Sequence, residues 1–520
     1  MTNEKRNAFH SVRPSATLTS GCWRAIGLIC MALAAVTGSP AQDEQVLPDA
    51  VKFKTLFYFD GTDGQYPSLN LVQGLDGNLY GTTDFGGASG YGVFFQLTPD
   101  GRESTLYNFC PQPNCADGGN PNEYGSLALD PSGDLYGTTN PLGVTGYGTI
   151  FKITPSGALS TLYSFCGSSC GDQGYAFAGV VRGPDGSFYG VTDGGGNISS
   201  SGIFQCFGAV DFPETCGLAY RITPEGAFSV IYNFCSLANC ADGGSPLTQL
   251  ILGTDENLYG ITEAGGANGL GTVFKLTLGG KLTTLYSFSV SPCGNGNGFC
   301  APLVQANNGN FYGTTYNGGV NGAGAFFEIT PSGTFTTLYN FCSKTNCADG
   351  AYPVEFVQGT DGNFYGVTSY SGSSSCGGTV FEITAQGALT TLHRFNGTDG
   401  CEPVGLVQHT NGAFYGEMWQ GGNSDNCGGP YCGTLFSLSV GLKPFVKTLE
   451  LSGKVSSTVQ ILGDGLSSAT AVSFNGVAAA FTVESDTLIS ATVPAGATTG
   501  FVVVSTPSGT LTSNVRFHIR

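Results

Sequence analysis

Short apolar segments alternate with glycine-rich turns through most of this chain, and none of them has the period of an amphipathic helix. The segments Val93–Leu97, Thr149–Ile153 and Ala325–Ile329 are apolar at most positions on both of their faces. A strand with one face in water would alternate polar and apolar residues more regularly. The pattern therefore predicts an all-β protein whose strands are covered on both sides.

A Tyr-Gly pair that follows Leu or Phe recurs down the chain. Its seven tyrosines are Tyr80, Tyr136, Tyr189, Tyr259, Tyr312, Tyr365 and Tyr415. They are separated by 56, 53, 70, 53, 53 and 50 residues. A period of this length is typical of a solenoid, a propeller or an array of small units.

One repeat unit is interpreted as four short strands. In the first unit they are Leu69–Gln73, Leu79–Thr83, Val93–Thr98 and Ser104–Phe109. The turns Asp76-Gly77-Asn78 and Pro99-Asp100-Gly101 reverse the chain, since glycine accepts a positive φ without steric cost. The glycine-rich loop Gly86–Gly92 joins the second strand to the third.

The number of fourth strands predicts how the repeats close into a ring. Thr105–Phe109 has a relative in each of the next five units, and the seventh unit has none. An isolated copy, Thr55–Phe59, precedes the first unit instead. If this segment completes the last unit, no long sheet edge stays free. We therefore expect a seven-bladed β-propeller over residues 53–441, closed by its N-terminal strand.

The segment Asp76-Gly77-Asn78-Leu79-Tyr80-Gly81-Thr82-Thr83, followed by a Gly-Gly-x-x-Gly loop, carries a family resemblance. It is similar to the choice-of-anchor tandem repeats, the "GloVer" repeats of exported bacterial proteins. The resemblance covers roughly residues 53–440. It implies export and C-terminal attachment elements that vary, and it carries no activity onto particular residues.

Residues 442–520 differ in composition, with less glycine, no cysteine and more Val, Thr and Ala. Their predicted strands, which include Leu488–Val493 and Phe501–Thr506, suit a small Ig-like β-sandwich. The segments Val472-Ser473-Phe474-Asn475-Gly476 and Val493-Pro494-Ala495-Gly496-Ala497 resemble an IPT/TIG domain. That resemblance implies a spacer or an adhesion module outside the cell.

The N-terminus has the pattern of an export signal. Basic residues precede an apolar run from Ala25 to Val36, and Ser39-Pro40-Ala41 offers small residues for cleavage. We expect a signal peptide over residues 1–41, a linker over 42–52, and a secreted or cell-surface protein without a transmembrane segment in the mature chain. The alternative is an uncleaved membrane anchor, for which the apolar run is short.

The chain has a net charge of −18, and a surface this acidic repels phosphate backbones, so nucleic acid is not an expected partner. Of its 18 cysteines, Cys22 and Cys30 lie in the leader. The others fall mostly in close pairs, which indicates disulfides in an oxidising compartment. These are Cys110/Cys115, Cys166/Cys170, Cys206/Cys216, Cys235/Cys240, Cys293/Cys300, Cys342/Cys347 and Cys427/Cys432, with Cys376 and Cys401 left over. The four histidines are scattered, so no metal site and no cofactor are expected.

In a four-stranded blade, the loops between blades and those between the second and third strands lie on one face. Cys376 and Cys401 both map to that face and are placed to bond to each other. The residue that ends the second strand also lies there. Through the seven units it is Asp84, Asn140, Asp193, Glu263, Tyr316, Tyr370 and Trp419.

These seven residues would make the mouth of the propeller, on this face, half polar and half aromatic. Such a surface suits a sugar chain, because aromatic rings stack on the C–H faces of sugars and acids accept hydrogen bonds from sugar hydroxyls. The alternative is that these side chains only fill the loops beside them.

We therefore expect an exported, non-catalytic binding or surface protein whose partner is an extracellular glycan or an envelope protein. The alternative function is a polysaccharide hydrolase or lyase that uses Asp84, Asp193 or Glu263 at the mouth. A purely structural envelope protein is the third hypothesis.

Overall fold

The structure is a computed structural model that describes residues 51–68, 71–121, 125–140, 146–166, 178–196, 216–293, 301–372, 376–422 and 432–520. The predicted signal peptide, residues 1–41, and nearly all of the linker at 42–52 lie outside these ranges. The chain divides into Met1–Val46 and Leu47–Arg520, and the features below belong to the second unit. In the described ranges, no helical segment has the length and apolarity needed to cross a bilayer.

The described residues form an all-β fold, as predicted, in which seven antiparallel sheets follow one another along the chain. We number them repeat sheets 1 to 7 and call their strands inner, second, third and outer. Sheet 1 has Gln65–Pro67 with Val72–Gln73, Leu79–Phe85, Val93–Leu97 and Glu103–Asn108; sheet 2 has Ala128–Leu129, Leu135–Thr138, Thr149–Ile153 and Leu159–Ser164. Sheet 3 has Val181–Arg182, Phe188–Thr192, Leu218–Ile222 and Phe228–Asn233; sheet 4 has Gly244–Pro246 with Ile251–Leu252, Leu258–Ala264, Thr272–Leu276 and Leu282–Ser287. Sheet 5 has Val304–Gln305, Phe311–Thr315, Ala325–Ile329 and Phe335–Asn340; sheet 6 has Ala351–Gln358, Phe364–Tyr370, Thr379–Ile383 and Leu389–Arg394.

Sheet 7 takes its outer strand from the N-terminus. Its own strands are Cys401–Gln408, Phe414–Gln420 and Thr434–Ser439, and Lys52–Tyr58 pairs antiparallel with the last of these. The register shifts between Thr55 and Phe57, and the outer strand of each other sheet has a shift in its pairing with the third strand. The predicted pairing of the isolated N-terminal segment with the last repeat is therefore confirmed.

The repeated Tyr-Gly pair belongs to the core. All seven tyrosines are at most 3% exposed. The Tyr80 hydroxyl donates to Asp76 at 2.9 Å, so the core residue also fixes the turn before its strand. A Cβ on Gly81 would lie 2.6 Å from the Phe95 ring, which explains why glycine follows the tyrosine.

Neighbouring sheets meet through a residue that precedes a proline at the start of an inner strand. These residues adopt a left-handed φ of 50° to 58°; they are Tyr66, Asn120, Ser245, Tyr352 and Glu402. Their N–H groups donate to the previous sheet at 2.8–3.2 Å; the acceptors are the carbonyl oxygens of Cys432, Tyr91, Cys216, Ala323 and Gly377, in that order. The link from Tyr66 to Cys432 joins sheet 1 to sheet 7.

A second series of contacts uses glutamines that end inner strands. The side-chain oxygens of Gln305, Gln358 and Gln408 accept from the turn N–H groups of Thr254, Asn307 and Thr360 in the previous sheet at 2.7–3.2 Å. Gln73 accepts from the Thr410 N–H at 3.1 Å and donates to its hydroxyl at 2.7 Å. Sheets 7 and 1 are therefore joined by both kinds of contact that join consecutive sheets.

The inner strand differs from its prediction. Instead of one strand over Leu69–Gln73, sheet 1 has the separate ladders Gln65–Pro67 and Val72–Gln73, and residues 69–70 lie outside the described ranges. Proline lacks an N–H for the ladder, and the left-handed Tyr66 turns the chain beside it. In sheet 6 the inner strand is continuous, with an irregularity after Pro353.

The C-terminal module, residues 442–520, contains two four-stranded sheets that share one core. One sheet holds Lys447–Thr448, Thr458–Leu462, Leu488–Thr492 and Phe481–Val483; the other holds Val477–Ala479, Ala471–Phe474, Val502–Thr506 and Gly509–Thr512. Ser452–Gly453 and His518–Ile519 form a short parallel pair. Short 3-10 turns are found in the described residues at Pro113–Cys115, Ala238–Cys240, Thr345–Cys347 and Leu466–Ser468.

The module packs against the side of the repeat sheets that carries the Asp-Gly turns. The Thr487 hydroxyl donates to the Leu75 carbonyl at 2.7 Å, and Arg520 pairs with Glu256 at 3.2 Å. Asn307 donates to the Asn514 carbonyl at 2.9 Å. The module therefore makes polar contacts with several repeat sheets, and its role as a spacer or an adhesion module stays a prediction.

We expect Gly324→Ala to lower the free energy of unfolding by about 3 kcal/mol. Gly324 has a φ of 96°, and a Cβ there would lie 2.6 Å from Pro353 Cδ in the next sheet. Gly322→Ala is the matched control, because its φ is 72° and no atom lies within 4 Å of the added Cβ. Denaturant unfolding should show that this control lowers the free energy of unfolding by only roughly 1 kcal/mol. Equal losses for the two variants would contradict the proposed role of the junction.

Candidate functional site

The seven predicted site residues lie at corresponding places in the repeat sheets. Asp84, Glu263, Tyr370 and Trp419 are in the last residues of second strands; Asp193 and Tyr316 come directly after such a strand, and Asn140 comes two residues after one. Their exposure differs. Asp84, Asn140 and Asp193 are 7–8% exposed, whereas Tyr370 is 38% exposed. Three of the four polar members are therefore buried, and the fourth, Glu263, is half-buried.

Sequence reasoning missed a second set of residues beside the first, the left-handed residues that precede prolines. They are Tyr66, Asn120, Ser245, Tyr352 and Glu402. In sheets 1 and 4 the neighbouring inner-strand proline pairs with the second strand near its end, as Pro67 does with Thr83 and Pro246 with Thr262. The recurring X-Pro dipeptide was visible in the sequence and is the signal that could have found them.

The aromatic residues form two groups. The Tyr316 and Tyr352 rings stack with centroids 5.0 Å apart, and Tyr370 lies 6.2 Å from Tyr352. These three rings come from sheets 5 and 6. Offset ring arrangements at such distances are favourable and hold the rings in defined orientations.

The second aromatic group spans the junction of sheets 7 and 1. The Trp419 and Tyr66 ring centroids are 4.8 Å apart, and Phe85 meets Tyr66 edge-on at 5.9 Å. Phe85 is 42% exposed. The structure thus brings Trp419 together with two rings that were not predicted as site residues.

A carboxyl group accompanies the aromatic residues. Burial raises the pKa of the Glu402 carboxyl, and Glu402 acts electrostatically on the hydroxyl of Tyr316, whose pKa is raised chiefly by burial. An acid of sheet 7 and a tyrosine of sheet 5 are therefore close enough to interact.

The polar side is organised around Asn120. Its side-chain amide donates to the Asp84 backbone carbonyl at 2.6 Å, and its backbone carbonyl accepts from the Asn140 N–H at 3.1 Å. Asn120 thus links the second-strand ends of sheets 1 and 2. Because Asp84 and Asn140 are buried, their side chains fit the alternative interpretation, in which they fill the loops.

Asp193 and Glu263 are brought together from sheets 3 and 4. Burial, and after it the charge of Glu263, raise the pKa of Asp193 to about 7, while the nearby Ser245 acts in the opposite direction. Glu263 itself is half-buried. A carboxyl that titrates near neutrality beside a second carboxyl is the arrangement that general acid–base chemistry uses.

The loops around this face are held by buried aspartates and disulfides. Asp242 is fully buried and accepts from the Tyr232 hydroxyl at 2.7 Å and the Ser236 N–H at 2.8 Å. Asp117 and Asp349 accept corresponding bonds in their own loops. The predicted disulfides Cys110–Cys115, Cys235–Cys240 and Cys342–Cys347 close these loops, and Cys376–Cys401 joins sheets 6 and 7.

The remaining described cysteines, Cys166, Cys216, Cys293 and Cys432, are also disulfide-bonded. Their predicted partners, Cys170, Cys206, Cys300 and Cys427, lie outside the described residues. The sulfurs of Cys216, Cys235 and Cys240 lie within 4.8 Å of one another. All three are in disulfides, so they are not thiolates available to a metal.

Comparison with known proteins identifies the repeats. The model of the Gloeobacter/Verrucomicrobia repeat matches residues 45–212, 211–348 and 295–487. Among curated proteins, none matches the chain significantly. A streptogramin B lyase structure is similar at 14% identity and a TM-score of 0.46, over 75% of this chain and 98% of that one. Regucalcin, a calcium-binding protein from Agrobacterium tumefaciens, is similar at 12% identity and a TM-score of 0.36, over 61% and 90%. At these scores neither likeness bears on function.

We expect Asp193→Asn to stabilise the protein at pH 8 by on the order of 3 kcal/mol, and to have little effect at pH 4. The folded-state pKa of Asp193 is about 7 against an ordinary 3.8. Between these values the folded state keeps a proton that the unfolded state has lost, so the free energy of unfolding falls as pH rises. Asparagine resembles the protonated acid, so the substitution removes this loss of stability at high pH.

Asp185→Asn is the control of opposite sign. Burial raises the pKa of Asp185, yet hydrogen bonds from Ser187, Arg221 and Tyr189 outweigh it and hold the pKa below its ordinary value. Its substitution should therefore destabilise, and more at pH 8 than at low pH. Denaturant unfolding at both pH values measures both effects. Stabilisation by Asp193→Asn that is the same at pH 4 and pH 8 would contradict the assignment.

Proposed function

We propose that this chain, which belongs to the Gloeobacter/Verrucomicrobia repeat family, is an exported, non-catalytic protein that binds carbohydrate at the second-strand ends of its repeat sheets. The single observation that carries this proposal is the pair of aromatic groups at these ends, Tyr316–Tyr352–Tyr370 and Trp419–Tyr66–Phe85. Rings held in place by one another, of which Tyr370 and Phe85 are exposed, suit the apolar faces of sugar rings.

The architecture that we propose for this role is a closed seven-bladed β-propeller over residues 53–441. Hydrogen bonds at each junction support it, including those from sheet 7 to sheet 1. In such a ring the second-strand ends and the X-Pro residues share one rim. The C-terminal module, residues 442–520, is proposed to be an Ig-like domain of the IPT/TIG kind.

Export is proposed from the leader at residues 1–41, followed by a linker at 42–52. The disulfides support it, because they persist in oxidising compartments. The proposed partner is therefore an extracellular glycan.

The second candidate function is cleavage of a polysaccharide by the acids at the same rim. The observation that favours it is Asp193, whose pKa burial raises to about 7 beside the charge of Glu263. A hydrolase or lyase would use the protonated Asp193 as an acid and Glu263 as the partner carboxylate.

The test is binding of the purified mature protein to an array of soluble plant, fungal and bacterial polysaccharides, followed by calorimetry with the best binder. Trp419→Ala and Tyr370→Ala should each weaken binding about tenfold, because each removes one stacking surface. Tyr58→Ala is the matched control, since Tyr58 is 44% exposed but belongs to an outer strand. It should bind as the wild type does.

Binding that survives both ring substitutions would overturn the carbohydrate site. Release of reducing ends or unsaturated products from the bound polysaccharide, lost in Asp193→Asn, would favour the enzymatic alternative instead. Absence of binding to every polysaccharide would favour the structural envelope role.

A further inference from the structure

A cavity of about 460 Å³ lies between the repeat sheets and the C-terminal module, away from the proposed carbohydrate site. Inner-strand side chains of sheets 2 to 6 form most of its wall, including Leu129, Val181, Ile251, Val304 and Val357. The module contributes residues 449–452 and Arg520. The volume and the largely apolar wall are typical of sites for small organic molecules.

Most polar groups in the wall are already engaged by the protein. Gln249 accepts from the Ser126 N–H and hydroxyl at 2.9 and 2.8 Å and donates to the Val180 carbonyl at 2.8 Å. Arg520 pairs with Glu256 at 3.2 Å. These side chains hold the wall in place.

Arg182 is the exception. Its nearest carboxylate oxygen, on Glu450 of the module, is 3.9 Å away, which is too long for a hydrogen bond. Within the described ranges, no protein group accepts a hydrogen bond from its guanidinium. The Arg182 and Glu450 side chains keep 27% and 24% of their surface exposed, so solvent reaches this end of the cavity.

We propose that the cavity binds a small monocarboxylic acid with a hydrocarbon body, whose carboxylate is received by Arg182. The planar guanidinium presents paired N–H donors that match a carboxylate in a bidentate geometry. The hydrocarbon body lies against the apolar inner strands of the repeat sheets.

The wall also contains the buried carboxyl of Glu355, and the carboxyl nearest to Arg182 is that of Glu450. Burial raises the pKa of its carboxyl, an effect that Arg182 partly offsets. A raised pKa keeps the Glu450 carboxyl protonated to higher pH than an ordinary glutamate, which weakens its repulsion of a ligand carboxylate. Because the wall comes from both the repeats and the module, the ligand also holds the two together.

Three probes with one hydrocarbon body and different head groups test this proposal. They are phenylbutyrate, phenylbutanol and phenylbutylamine, titrated calorimetrically into the full mature chain at pH 7. We expect the acid to bind about tenfold more tightly than the alcohol, and the amine to bind least. The net charge of −18 alone would favour the amine, so non-specific attraction predicts the opposite order.

Arg182→Gln should abolish the preference for the acid over the alcohol while leaving the alcohol's affinity unchanged. Arg102→Gln is the matched control, because that side chain is 80% exposed and pairs only locally with Asp100; it should leave all three affinities unchanged. Val304→Phe should fill the cavity and reduce binding of all three probes at least tenfold. Ala128→Leu, on another sheet, serves the same purpose if the first variant does not fold.

Equal affinities for acid and alcohol in the wild type would overturn the proposal, as would a preference that persists in Arg182→Gln. Binding that neither filling variant reduces would place the ligand elsewhere and overturn it too.

Discussion

The junction between consecutive sheets is the contact on which the rest of the structure depends. At five of these junctions a left-handed residue sends its N–H to the previous sheet. The proline after it lies against a glycine of that sheet that has a positive φ. The glycine tolerates no larger residue, since it has no room for a Cβ. The geometry of one contact therefore fixes how each repeat is oriented toward the next.

This contact also positions the aromatic residues of the proposed binding site. The residue that makes the junction stands beside the end of the second strand, so Tyr66 meets Trp419 and Tyr352 meets Tyr316. Left-handed backbone costs a non-glycine residue about 1 to 2 kcal/mol, and the surrounding hydrogen bonds must hold it there. Rings positioned in this way lose little freedom when a ligand arrives, which is a condition for tight binding by a few aromatic contacts.

Much of the fold could be predicted because its signals are local and repeated. The Tyr-Gly pairs and the paired cysteines recur from repeat to repeat. The isolated N-terminal strand supplies the outer strand that the last repeat lacks. The inner strands were less well predicted. The apolar pattern predicts one continuous strand, but a proline and its left-handed neighbour interrupt the hydrogen-bond ladder.

For the candidate site, only the positions of its residues along the repeats could be predicted. Second-strand ends were found from their register, but burial of Asp84 and the pairing of Asp193 with Glu263 depend on contacts between repeats. The docking of the module was also missed, since single contacts such as Thr487 with Leu75 leave no periodic signal. The cavity beside Arg182 follows from that docking and was invisible for the same reason.

Hydrogen exchange of the N-terminal strand tests the proposed closed arrangement most directly. Amides of Lys52–Tyr58 that face Thr434–Ser439 should exchange as slowly as those of an internal outer strand such as Leu282–Ser287. Exchange of the 52–58 peptide at the rate of an unprotected chain, while 282–287 stays protected, would contradict closure by this strand.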